Sequence, residues 1–167
     1  MSAVRAAAAA ADRWIRGAET FLLGALTIAL TAVTFSQVVS RYAFNAPIVW
    51  SEEAARYLFV WVSLIGAGAA VGRGAHYGLE ALVKALASPW RGVVGFACSA
   101  VILCFALVLL VTGVAETRLA DGQFAPTLPM RMSVAYAALP VGAALMIWHV
   151  LAVWAKRGFG AHPLDKG

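Results

Sequence analysis

The stretch GVVGFACSAVILCFALVLLVTGVA, Gly92 to Ala115, runs for 24 residues without a charged side chain. A helix rises ~1.5 Å per residue, so about 20 apolar residues cross the ~30 Å hydrocarbon core of a bilayer. Met132 to Ala155 repeats the pattern over 24 residues, and Thr20 to Ser40 over 21. A further apolar run, Tyr57 to Gly72, is only 16 residues and follows Arg56 directly. Its helix is expected to begin earlier, near Pro47, because proline is tolerated in a first turn. The reading is an all-α integral membrane protein in one four-helix domain, with spans at about 18–40, 50–72, 92–115 and 132–155.

Composition agrees. Of 167 residues, 62% are hydrophobic and 13% charged, against roughly 25% charged in an ordinary soluble domain. The net charge of +5 is not gathered into a basic patch, so no nucleic-acid partner is expected. The basic residues sit between the apolar runs, as topology determinants do. Arg5, Arg13, Arg16, Arg73, Lys84, Arg91, Lys156, Arg157 and Lys166 would share one side. Arg41, Arg56, Arg118 and Arg131 would share the other. Nine against four places both termini in the cytoplasm. Ala6 to Ala11 is weakly apolar and ends at Asp12, and the first strong run is too long for a signal core. That run is expected to be retained as a membrane helix.

Between the second and third spans, Leu79, Leu82, Val83 and Leu86 recur at helical spacing, with Glu80 and Lys84 paired on another face. This predicts an amphipathic helix over about 76–88, lying in the interface or against a partner. Packing in lipid relies on small residues and interhelical hydrogen bonds. The first span offers Gly24, Thr27, Thr31, Thr34 and Gln37 on one broad face. The second offers Gly66, Gly68 and Gly72, the last two forming a GxxxG. These faces should meet other helices, within the chain or in another subunit; an ion path along the threonines is the alternative. Pro140 should kink the fourth span.

Chemistry-bearing residues are few. Cys98 and Cys104 lie six apart on one helix, about 240° around its axis, and cannot pair. They read as small buried hydrophobes. His149 alone does not make a bis-histidine haem site, and no phosphate loop of the GxxxxGK[ST] type occurs. No Asp, Glu, Lys or Arg falls near the middle of a span. The charges nearest the bilayer are Arg41, Glu52, Glu53 and Arg56. Glu52 and Arg56 have favourable i, i+4 spacing, and Arg41 can reach Glu52 or Glu53 across a short loop. The cluster either fixes the first hairpin or presents a docking surface. Trp50, Tyr57 and Trp61 fit an aromatic belt. No catalytic residue, metal ligand or cofactor is expected.

Two ordered stretches carry a family resemblance. The first is Arg41-Tyr42-Ala43-Phe44-Asn45, Trp50-Ser51-Glu52-Glu53, Arg56-Tyr57-Leu58-Phe59-Val60-Trp61, Gly66-Ala67 and Arg73-Gly74-Ala75-His76. The second is Leu128-Pro129-Met130, Tyr136, Leu139-Pro140-Val141-Gly142 and Leu145-Met146. Together they resemble the small permease subunit of TRAP (tripartite ATP-independent periplasmic) transporters. The run His76-Tyr77-Gly78-Leu79-Glu80 departs from the family pattern, keeping the acid but not its usual type.

The resemblance implies a non-catalytic subunit of the bacterial inner membrane that supports a large permease subunit. That large subunit would carry an organic acid, typically with sodium, after capture by a periplasmic binding protein. Arg41, Trp50, Glu52, Glu53, Arg56, Trp61, Gly68, Gly72 and His76 are the candidates for assembly or docking. A self-sufficient oligomeric transporter and a membrane anchor for a redox enzyme are the alternatives.

Overall fold

The computed structural model describes residues 2–73 and 88–157. Its elements are α1 (Ser2–Ala43), α2 (Ser51–Arg73), α3 (Ser88–Leu119), a 3₁₀ turn (Ala120–Gly122), α4 (Met132–Tyr136) and α5 (Ala138–Arg157). Four helical stretches are long and apolar enough to cross a membrane: Ala10–Ala43, Ser51–Arg73, Val93–Gly122 and Met132–Ala155. The amphipathic helix expected at 76–88 lies outside the described residues, apart from Ser88, which opens α3.

α1 is far longer than its expected span. Its 42 residues extend about 60 Å at ~1.5 Å each, twice the hydrocarbon thickness. The alanine run ahead of Asp12, too weakly apolar to read as membrane, consists of strong helix formers and continues the helix. α1 stops where Asn45 takes a positive φ of 51°, a conformation that asparagine tolerates better than most residues. The Ala46 N–H then donates to the Ser40 carbonyl at 3.1 Å. The Ser40 hydroxyl donates to the Ala46 carbonyl in return.

α2 begins at Ser51 and not near Pro47. The Ser51 N–H and hydroxyl both donate to the Ile48 carbonyl, at 3.2 and 2.7 Å. That turn aims the chain into the helix, whose first bond runs from the Ala54 N–H to the Trp50 carbonyl at 3.0 Å. In the fourth span, helical structure is interrupted at Ala137. Pro140 lacks the N–H that would bond to Tyr136 four residues back, and its ring crowds that carbonyl. The kink expected from Pro140 is thus a division into a one-turn α4 and a long α5.

The helices form an open array and not a closed bundle. α5 packs against both α2 and α3, and α2 packs against α1. α1 touches α5 less extensively and makes no contact with α3 among the described residues. One cluster of the core joins α2, α3 and α5: Val71, Ala106, Met146 and Val150, flanked by Ala67, Ile102, Leu103, Ile147 and Trp154. Of the most apolar window of each span, 44% of residues are buried in the fourth but 0% in the first.

Glycines decide how closely α5 is held. A Cβ on Gly68 would sit 2.8 Å from the Leu145 Cβ, and one on Gly72 would sit 2.8–2.9 Å from three atoms of the His149 ring. The GxxxG of α2 is therefore a groove for two residues of α5, within this chain. In the opposite sense, a Cβ on Gly142 of α5 would sit 2.8 Å from the Leu64 Cβ of α2, and one on Gly113 of α3 would sit 2.8 Å from the Leu139 Cβ of α5. Gly24 is different: nothing lies within 4 Å of its Cβ direction. Thr27, Thr31 and Thr34 beside it are exposed, the latter two bonded back to the carbonyls of Thr27 and Leu30 at 2.8 Å. Among the described residues, this face of α1 meets no other helix.

The contrast between these glycines is testable. Gly72→Ala should destabilise the fold by about 1–3 kcal/mol, because an aromatic ring between helices has no room to yield. Gly24→Ala should leave stability unchanged or raise it by up to about 1 kcal/mol. Thermal unfolding of the purified chain in lipid nanodiscs measures both.

Candidate functional site

Polar side chains gather at the two ends of the helical array. At the hairpin end, where α1 turns into α2, the Arg41 Nη2 donates to Glu52 Oε1 at 2.9 Å. The Gln37 amide reaches the same oxygen at 3.2 Å. Glu52 thus joins α2 to α1. The Arg56 Nε bonds to the Glu52 backbone carbonyl at 3.4 Å, not to a carboxylate oxygen. Arg41 and Glu52 are both about half exposed, so water competes for the pair.

Glu53 is turned the other way. It is buried, and its carboxylate reaches across to the loop ahead of α4. Oε2 accepts the Thr127 N–H at 2.8 Å and also the Thr127 hydroxyl. Oε1 accepts the Tyr57 hydroxyl at 2.6 Å. Consecutive acids on a helix point about 100° apart, which is why Glu52 serves α1 while Glu53 serves the loop.

That loop is itself built. The Ala125 N–H donates to the Met130 carbonyl and the Met132 N–H to the Gln123 carbonyl, both at 2.9 Å, forming a small antiparallel bridge between Phe124 and Arg131. Arg131 also binds the Asp121 carboxylate at 2.8 Å, and Ser133 donates to the other Asp121 oxygen at 3.0 Å. The Leu128-Pro129-Met130 sequence makes the turn, with the Met130 N–H returning to the Leu128 carbonyl at 2.8 Å. Trp61 completes the frame: its indole N–H donates to the Val134 carbonyl of α4 at 3.1 Å. Trp61 and Tyr57, read from sequence as belt residues, make internal bonds with their polar tips. Trp50 remains exposed.

The other end holds what the sequence did not announce. Asp12, Glu19 and His149 are all buried. The His149 Nε2 lies 2.9 and 3.1 Å from the two Glu19 oxygens, and its Nδ1 lies 3.3 Å from Asp12 Oδ1. The Arg16 Nε binds Asp12 Oδ2 at 2.9 Å, and its Nη1 donates to the Gly72 carbonyl. Arg73 reaches the Thr20 hydroxyl at 3.1 Å. The expectation that the charges nearest the bilayer are Arg41, Glu52, Glu53 and Arg56 is corrected: Asp12 and Glu19 are buried against the helices as well.

The signal for this cluster was present in the sequence. Asp12, Arg16 and Glu19 are spaced i, i+4, i+7, which puts all three on one helix face. It could not be used without knowing that α1 extends back through Asp12 and that α5 lies beside it.

Of the sequence candidates, Arg41 and Glu52 are in direct contact. Glu53 and Trp61 hold the α4 loop, and Gly68 and Gly72 lie in the α2–α5 groove. His76 lies outside the described residues. No group of three or more His, Cys, Asp and Glu among the described residues has the geometry to hold a metal ion. Cys98 and Cys104 are free thiols, Cys104 exposed rather than buried.

Residues 30–158 match the family model described as "Tripartite ATP-independent periplasmic transporters, DctQ component". Among relatives, the C4-dicarboxylate TRAP transporter small permease protein DctQ of Vibrio cholerae is 33% identical over 93 residues, covering 56% of this chain and 40% of that protein. The chain thus spans less than half the length of that relative. The sialic acid TRAP transporter small permease protein SiaQ of Vibrio cholerae is 28% identical over 137 residues, 82% of this chain and 79% of the other. The sialic acid TRAP transporter permease protein SiaT of Haemophilus influenzae is 36% identical over 72 residues, 43% of this chain and 12% of that protein.

The two neighbouring acids should separate experimentally. Arg41→Ala should cost no more than about 1 kcal/mol of stability, because the pair it breaks is exposed. Glu53→Ala strands two Thr127 donors and one Tyr57 donor, so it should lower the thermal midpoint further than Arg41→Ala. Glu53→Gln, which keeps an acceptor oxygen, should fall between them.

Proposed function

The chain belongs to the DctQ component family of tripartite ATP-independent periplasmic transporters, and from that membership we propose that it is the small, non-catalytic membrane subunit that supports a large permease subunit. Membership and the four apolar helices make it a multi-pass inner-membrane protein, a transporter component and not an enzyme. The supporting role is the proposal. It extends to uptake of an organic acid, delivered by a periplasmic binding protein and driven by an ion gradient, with sodium coupling seated in the large subunit.

The observation that carries this reading is the open array. α1 buries none of its most apolar window and leaves Phe21, Ile28, Phe35 and Tyr42 exposed. A self-contained carrier needs ionisable groups around a cavity inside the membrane. Here the charges collect at the two helix ends, and the middle carries only apolar and small residues. Such a sheet of helices suits a fixed frame laid against a moving partner. The relative SiaT supports this, since the segment similar to this chain is 12% of a much larger permease protein.

The termini belong in the cytoplasm on this reading, with nine basic residues on their side against four on the other. The Arg41, Glu52 and Glu53 cluster and the Thr127 loop then face the periplasm. Arg41, Trp50, Glu52, Arg56 and the loop braced by Glu53 and Trp61 are proposed as the assembly or docking surface there.

Three outcomes are expected. The chain should co-purify with a large multi-span membrane subunit, and reconstituted alone it should give no organic-acid flux in liposomes; flux from the chain alone overturns the proposal. Glu53→Ala or Arg41→Ala should weaken assembly or uptake more than Glu80→Ala, measured in cells expressing the whole transporter. A reporter fused at Gly167 should read cytoplasmic.

A further inference from the structure

Arg56 stands at the rim of the membrane without a bonded carboxylate. The uncharged run Tyr57 to Gly72 begins directly after it, which sets its side chain at the edge of the hydrocarbon. Both acids near it on α2 are engaged elsewhere. Glu52 is bonded to Arg41 at 2.9 Å and to Gln37 at 3.2 Å. Glu53 feels the Arg56 charge but bonds to Thr127 and Tyr57. Among the described residues, the one hydrogen bond of Arg56 runs from Nε to the Glu52 backbone carbonyl at 3.4 Å. Both Nη groups keep their donors, and the residue is exposed.

Arg56 also opens onto a groove. Between α2 and the α4–α5 segment lies a cavity of about 340 Å³, within the roughly 300–1,000 Å³ of small-molecule sites. Arg56 and Tyr136 line it together with Val60, Met132 and Leu139. α2 and α5 run parallel, with Gly68 beside Leu145 and Gly72 beside His149. In that register Val60 and Leu139 lie deeper in the membrane than Arg56, by about one to two turns. Helical side chains lean toward the helix N-terminus, which carries the tips of Arg56 and Tyr136 outward. Tyr136 is 36% exposed, and its hydroxyl makes no hydrogen bond among the described residues. The groove thus has donors at its mouth and an apolar floor.

We propose that this groove is a phospholipid site. The phosphodiester sits against the Arg56 guanidinium and the Tyr136 hydroxyl, and an acyl chain lies along Val60 and Leu139. Charge and depth select this occupant. A cation at the hydrocarbon edge needs an anion held at the same level, and the lipid phosphate is the anion a bilayer supplies there. Arginine binds phosphate through paired N–H groups, and its Nη donors are the ones left over here. A free anion would leave the apolar floor uncovered. The site needs only this chain and a bilayer, so it stands whether or not a large subunit assembles at the same end. Bound lipid would fill the gap between α2 and α4, adding to the tie already made by Trp61 and the Val134 carbonyl.

The test titrates the full-length chain, in maltoside detergent, with dioctanoyl phosphatidylglycerol and counts bound lipid by native mass spectrometry. One lipid should bind saturably. Arg56→Gln should raise its Kd by roughly tenfold, the scale of a lost hydrogen bond to a charged group, and Tyr136→Phe by a smaller factor. Val60→Trp fills the groove and leaves Arg56 in place, and it should weaken binding as much as Arg56→Gln. Both positions are exposed, so helicity by circular dichroism should be unchanged. Arg118→Gln, at an exposed arginine outside the groove, should leave the Kd as it was, and inorganic phosphate should not compete. The absence of saturable lipid, an unchanged Kd in Arg56→Gln, an equal loss in Arg118→Gln, or displacement by inorganic phosphate each overturns the proposal.

Discussion

Everything in this protein is arranged around the close approach of α2 and α5. In lipid, apolar surface gains little by leaving one hydrocarbon environment for another, so helices associate through tight van der Waals contact and hydrogen bonds. Here the contact is interlocked in both directions. Gly68 and Gly72 of α2 admit Leu145 and His149, Gly142 of α5 admits Leu64, and Gly113 of α3 admits Leu139. α5 is thereby clasped from two sides. One cluster of the core, Val71, Ala106, Met146 and Val150, lies where α2, α3 and α5 meet.

The seam also explains where polar groups can be placed. The His149 ring occupies the space a Cβ on Gly72 would fill, and the i, i+7 pair Asp12 and Glu19 lies beside it on α1. Ionisable groups inside membrane proteins are tolerated when they pair with one another and face away from lipid, and this cluster satisfies both conditions. At the opposite end, Glu53 performs a comparable service for backbone. It accepts donors from a loop whose direction is set by Pro126 and Pro129 and by the Phe124–Arg131 bridge. Between the ends the spans carry no Asp, Glu, Lys or Arg.

α1 stands apart. Its length exceeds the bilayer, its apolar window is bare within this chain, and the residues Gly24, Thr27, Thr31 and Thr34 look outward. A helix packed on α2 along one side and uncovered on the other presents a long outward surface. That is the geometry expected of a subunit whose remaining contacts lie in other molecules.

By itself the sequence determined the number of spans: three uninterrupted runs of 21 to 24 uncharged residues have few other solutions in water or lipid, and the 16-residue run after Arg56 becomes a fourth once its helix begins earlier. It pointed to the hairpin as well, since Arg41 lies a short loop away from Glu52 and Glu53 and can reach either. It marked the GxxxG and Pro140 as packing features, though not their partners. Only the tertiary structure decided that Gly68 and Gly72 receive α5 of the same chain, that Gly24 receives nothing, and that Glu53 parts company with Glu52. The His149 cluster belongs to this second group too. Its members are 130 residues apart in the chain, and each looks like an ordinary boundary residue when read alone. Hydropathy is a local property that a linear window can sum. The pairing of a carboxylate with a distant ring depends on how closely two helices approach, and glycine grooves set that distance in three dimensions.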